Sequence, residues 1–75
     1  MSRYLLYIYD TELTMNDDDF NYAMEQDQIQ YCSDFMELVY ETMDLDEIYQ
    51  KMNEYFVPGK VECVAWDNKL NYFFN

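Results

Sequence analysis

Arg3–Tyr9 reads RYLLYIY, an unbroken run of aromatic and branched residues of the kind that favours a pleated, buried surface. With side chains alternating across a strand, Tyr4, Leu6 and Ile8 share one face and Leu5, Tyr7 and Tyr9 the other. Both faces are apolar or amphipathic, so the spacing predicts a central strand covered on at least one side. Asp10-Thr11-Glu12 ends it. At the other end of the chain, Lys60–Trp66 (KVECVAW) and Lys69–Phe74 (KLNYFF) also read as strands. Asp67-Asn68 between them is a candidate two-residue hairpin turn. Val61, Cys63 and Ala65 would lie on one side, facing Leu70, Tyr72 and Phe74, and Tyr4–Ile8 would pair with one of these two strands.

Helical patterns fill the middle. Thr14 and Asn16 are cap-type residues, and Asp17, Asp18 and Asp19 complement a positive helix N-terminus. Phe20, Ala23 and Met24 follow at i, i+3, i+4 spacing, which predicts a helix from about Asp17 to Glu25. Gln26–Tyr31 reads equally as a loop or as a continuation with Ile29 and Tyr31 inward. Ser33 reads as a second N-cap, before a stripe of Phe35, Leu38, Val39 and Thr42 backed by Asp34, Glu37, Glu41 and Asp44. Asp44-Leu45-Asp46-Glu47 is a capping-box pattern, and Leu45, Ile48, Tyr49, Met52, Tyr55 and Phe56 supply the buried face of the helix it opens. Pro58-Gly59 makes the turn that ends it. The expected fold is one α+β domain over residues 1–75, ordered β-α-α-α-β-β. It has a three-stranded, mostly antiparallel sheet with two or three helices on one face.

The charge is lopsided. The chain carries sixteen Asp and Glu against four Lys and Arg, a formal net charge of −12. From Tyr4 to Gln50 there are thirteen carboxylates and not one Lys or Arg. A surface of one sign destabilises its own compact state by self-repulsion, and a strongly basic partner is the reading that explains it. The same field excludes direct nucleic-acid binding and disfavours an anionic membrane. A chain this rich in Tyr, Asn, Phe, Ile and Met would ordinarily bring many lysines, yet it holds three. No run approaches the ~20 apolar residues of a membrane span, and the N-terminus has neither the apolar run nor the cleavage site of a signal peptide. A cytoplasmic protein, acting in a host cell as a monomer or homodimer, is expected. Cys32 and Cys63 read as two free buried thiols, with a single disulfide as the alternative.

Chemistry is hard to find. Asp17-Asp18-Asp19 lacks the alternating acids and the glycine of a calcium loop. There is no His to serve as a general base, no basic neighbour to activate either cysteine, and no glycine-rich phosphate loop. The sheet aromatics have no cationic groove beside them for stacking bases. The expectation is a protein that is not an enzyme and has no cofactor and no metal.

The row Asp34, Glu37, Glu41, Asp44 carries the functional reading. On a helix its carboxylates would stand about 4.5–6 Å apart along the axis, and side-chain splay would widen that toward the distance between neighbouring phosphates on one nucleic-acid strand. An ordinary solvated helix face would place Lys four residues after an acid; here those positions hold Leu or Glu. Asp17, Asp18, Asp19, Glu25, Asp27, Asp46 and Glu47 could extend the row. Tyr40 among them could give apolar contact, since tyrosines dominate interface hot spots; Tyr22 and Tyr31 are further candidates.

On the base-free stretch Tyr4–Gln50 and this row, the chain resembles the small acidic DNA-mimic inhibitors of phages and mobile elements. These include anti-CRISPR proteins, anti-restriction proteins and uracil-DNA glycosylase inhibitors. The resemblance implies an inhibitor seated in the nucleic-acid or PAM-reading groove of a host-defence effector such as a CRISPR complex. The alternative is an acidic protein–protein interaction module for a basic partner that does not bind nucleic acid.

Overall fold

The computed structural model describes residues 2–27, 29–32 (backbone alone at 31 and 32) and 34–75. Four strands form one antiparallel sheet, in the order β2-β1-β3-β4. They are β1 (Tyr4–Asp10), β2 (Glu37–Thr42), β3 (Val61–Asp67) and β4 (Tyr72–Phe74). The helical segments are α1 (Thr11–Thr14), α2 (Asp18–Glu25), α3 (Ile29–Cys32) and α4 (Leu45–Tyr55). The α+β class and the antiparallel sheet are as expected, with one strand more. The expected Ser33 cap lies outside the described residues, as does the side chain of Cys32.

β1 is central, bonded to β2 on one side and β3 on the other, so its two apolar faces both meet cover. Tyr4 and Leu6 join Cys63 and Ala65 of β3 and Ile48 and Met52 of α4 in one core. Tyr7 and Tyr9 turn the other way, toward Phe20, Ala23, Met36 and Val64. The helices therefore divide between the faces, α4 on one and α2 on the other, instead of sharing one. A local 3.6-residue period says which side of a helix is apolar, but not which side of the sheet it meets.

The segment read as an acidic helix is strand β2. Its ladder pairs Leu6 with Tyr40 and Tyr7 with Leu38, leaving Val39 as the extra residue of a bulge. A bulge sets two successive residues against one on the partner strand, and Val39 and Tyr40 both pack on the α4 core. That doubling breaks strict alternation and imitates the i, i+1 pairs of a helix stripe. Beta-favouring Val39, Tyr40 and Thr42 and the exposed edge then win, and Glu37 and Glu41 escape the like-charge contact that a helix would impose.

The remaining elements follow their caps. Asp17 and Asp44 accept from the backbone N–H groups of Phe20 and Asp46, opening α2 and α4. Of the expected α4 face only Ile48 and Met52 are buried; Leu45, Tyr49, Tyr55 and Phe56 are exposed. Gly59, at φ 75°, makes the turn after Pro58 that joins Val57 to Val61. The two-residue hairpin at Asp67-Asn68 is corrected to a longer turn over 68–71. Asp67 is the last residue of β3, and its carboxylate accepts from the N–H groups of Lys69 and Leu70. Asn71, at φ 57°, returns the chain to β4. Leu70 thus belongs to the turn, while Phe74 meets Ala65 as expected. Cys63 is a free buried thiol that donates to the Met52 carbonyl at 3.5 Å, and burial pushes its pKa up.

Candidate acidic interface

Twelve of the sixteen acids are exposed and only Asp67 is buried. Among the described residues, Asp67 and Glu54 are the acids in ion pairs. Arg3 donates to both carboxylate oxygens of Asp67, at 3.2 and 3.1 Å, and holds its pKa below the usual carboxylate range. Lys51 meets Glu54 at 3.0 Å. Among the described residues, none of the thirteen carboxylates from Asp10 to Glu47 has a Lys or Arg within salt-bridge distance.

Several predicted contact residues have work inside the fold. Asp17 and Asp44 cap helices. Asp27, in left-handed backbone at φ 52°, accepts from the Phe73 N–H at 3.4 Å and ties the end of α2 to β4. Tyr40 packs on the α4 core and donates its hydroxyl to Glu47, which raises the tyrosine pKa; Lys51 Nζ stands 5.0 Å from the centre of its ring. Asp18, Asp19, Glu25, Asp34, Glu37, Glu41 and Asp46 are exposed, with no hydrogen bond to a described residue from their carboxylates.

The row Asp34, Glu37, Glu41, Asp44 is not a helical stripe. Glu37 pairs with Ile8 and Glu41 with Leu5, so the bulge between them leaves them on opposite faces of the sheet. Glu41 lies near the Tyr7 hydroxyl, whose pKa rises mainly through burial and then through that carboxylate. Four residues of strand separate these two acids by about 13 Å, against one phosphate per ~3.4 Å of axis on a DNA strand. The row borders an edge strand and does not reproduce phosphate spacing.

What the fold does bring together is a different set. At the end of the sheet where β1 finishes and β2 and β3 begin lies a cleft of about 430 Å³. Asp10, Asp34 and Glu37 stand around it, with Leu13, Phe35 and Val61 among its apolar walls. A second cleft, also about 430 Å³, adjoins it at Asp34 and Phe35 and is completed, among the described residues, by Asp19 and Tyr22. Phe35 is anchored edge-on to Phe20 at 5.6 Å, and Phe20 leans on Tyr9 at 5.0 Å. Leu13 and Tyr22 remain 77% and 63% exposed. Leu13 and Phe35 were not singled out as contacts in the sequence. The one local signal was Leu13 and Met15, apolar residues without a helical partner in an otherwise polar TELTMNDDD segment.

Among the described residues no group of three or more His, Cys, Asp or Glu side chains is arranged to hold a metal ion, and no helix is long and apolar enough to cross a membrane. No known protein family, curated protein or solved structure matches the chain.

Proposed function

We propose that this protein is an acidic inhibitor that binds the basic, nucleic-acid-contacting surface of a partner protein. The kind of partner is the host-defence effector, a CRISPR complex among them, against which phages and mobile elements deploy such proteins. It acts by occupancy and not by catalysis. The observation that carries this reading is the set of thirteen carboxylates with no Lys or Arg within salt-bridge distance among the described residues. No Lys or Arg ion pair among the described residues offsets their mutual repulsion, and a cationic surface would offset it. Steering by such a field speeds association and makes it fall steeply with salt. A surface whose Lys and Arg are engaged by these carboxylates has none left for phosphate, so DNA and the inhibitor exclude one another.

The acid spacing along β2 favours a second reading in one respect. Carboxylates about 13 Å apart suit scattered Lys and Arg on any basic protein as well as they suit a phosphate-binding groove. An acidic module for a partner that does not bind nucleic acid is therefore the alternative.

The immobilised protein, exposed to bacterial lysate and washed first with duplex DNA and then with rising salt, separates the two. Release by DNA of a nucleic-acid-binding protein is the expected result. A partner that ignores DNA and leaves only with salt transfers the assignment to the acidic module.

A further inference from the structure

We infer that the paired clefts meeting at Asp34 and Phe35 form a receptor for a cationic amphipathic segment of the partner protein. A large apolar side chain would seat between Leu13 and Phe35, with Lys or Arg on either side. This rests on the reading that the partner is basic and specifies how it is recognised.

Three observations select this occupant. The walls are apolar and open: Leu13 and Tyr22 present most of their surface to solvent, over a floor fixed by the Phe35–Phe20 contact. The rim is anionic: Asp10, Asp34 and Glu37 surround one cleft, Asp19 and Asp34 the other, and no Lys or Arg is among the described residues that line them. Lys60 precedes the lining residue Val61 in the chain but does not itself line the cleft. The volume of each cleft is within the range of pockets that take small ligands or single large side chains.

Each rival occupant fails one of these terms. A neutral apolar ligand would take water from several carboxylates and return no charge. Nucleic acid and anionic lipid would meet carboxylates with phosphates. A polycation without apolar residues would neutralise the rim and leave Leu13 and Tyr22 uncovered. A basic amphipathic helix or strand satisfies both, because its apolar face enters the groove while its charges reach the rim. Arginine suits the position best, since its guanidinium can lie flat on Tyr22 and meet a carboxylate with two parallel hydrogen bonds.

The test is a titration of the isotope-labelled protein, followed by NMR, with two synthetic peptides of equal length and charge: an amphipathic Leu/Arg helix former and an Arg/Gln peptide. The Leu/Arg peptide should shift the backbone amides around Leu13, Tyr22 and Phe35 and bind at least about tenfold more tightly, the worth of one buried apolar side chain. Leu13→Gln, at an exposed site, should erase that preference and leave binding of the Arg/Gln peptide unchanged. Asp34→Asn should weaken both peptides and flatten the salt dependence. Equal affinity of the two peptides, or shifts that bypass Leu13, Tyr22 and Phe35, would overturn the proposal. Its fate is separable from that of the inhibitor reading. A DNA-displaced partner indifferent to Leu13→Gln removes the cleft and leaves inhibition standing. Peptide discrimination with a partner that DNA does not displace supports the cleft and removes nucleic-acid competition.

Discussion

The two faces of the sheet are built on different terms. On the α4 face, an eleven-residue helix lies over β1 and β3, and Leu6, Ile48 and Ala65 have no exposed surface at all. The chain is locked there at its ends as well, by Arg3 on Asp67. On the α2 face, an eight-residue helix reaches the sheet through rings, Phe20 on Tyr9 and Phe35, and open clefts flank the contact. Beside α4 the clefts are smaller, about 190 and 170 Å³; the two larger ones, of about 430 Å³ each, carry the acidic rim. In this way a chain of 75 residues tolerates a net charge of −12. The close-packed α4 core of Leu6, Ile48 and Ala65 supplies the stability that leaves the acidic clefts available for recognition.

The largest effect is expected from the α4 core. Ile48→Ala removes a fully buried side chain between Leu6 and Met52 and is expected to destabilise the fold by about 2–5 kcal/mol. That lowers Tm by roughly 4–8 °C for each kcal/mol in a domain of this size. Tyr22→Ala on the open face should change stability by less than about 0.5 kcal/mol. Denaturant unfolding of both variants measures the contrast. Similar losses for the two would mean that the faces share the load.

A smaller effect should come from the edge of the α4 face. Asp67 is held ionised chiefly by the hydrogen bond from Arg3, helped by the N–H groups of Leu70 and Lys69 and opposed by burial. A carboxyl whose folded pKa lies below its unfolded one binds protons more readily when unfolded. Its contribution is therefore fully present above the ordinary value of 3.8 and is lost as pH falls through the lower folded value. Asp67→Asn should cost several degrees of Tm near neutrality, and the loss should shrink as the pH is taken below that ordinary value. A deficit that stays constant down the acid limb would mean that the ion pair is not the source.

How much of this was legible depended on whether the signal was local. RYLLYIY announced a central strand covered on at least one side because every residue of it fits a buried pleat; that both sides are covered came only from the fold. The α2 and α4 helices were visible in Asp17 and Asp44, whose side chains close the first turn within three residues. β2 was hidden because Val39, as a bulge, makes a strand repeat like a helix. β4 was overestimated because Asp67 bonds to backbone N–H groups beyond it, which a two-residue turn does not need. The clefts were not legible at all. Leu13, Asp34 and Val61 come from three separate segments, and only the meeting of β1, β2 and β3 at one end of the sheet places them together.

The gentlest perturbation, added salt, sharpens the same contrast without changing a residue. Between low and physiological ionic strength the Debye length contracts from about 30 Å to about 8 Å. Repulsion among the thirteen carboxylates that meet no Lys or Arg among the described residues is screened, while the apolar contacts of Ile48 are not. Sodium chloride should therefore raise Tm by a few degrees. The deficit caused by Ile48→Ala should stay the same at every salt concentration, because the lost contacts carry no charge. Small domains with mixed surface charge would show little of the first effect, since attractive and repulsive pairs are screened together. If salt instead lowers Tm, the exposed acids are held in stabilising interactions within the fold, and the premise that their charge awaits a basic partner fails with it.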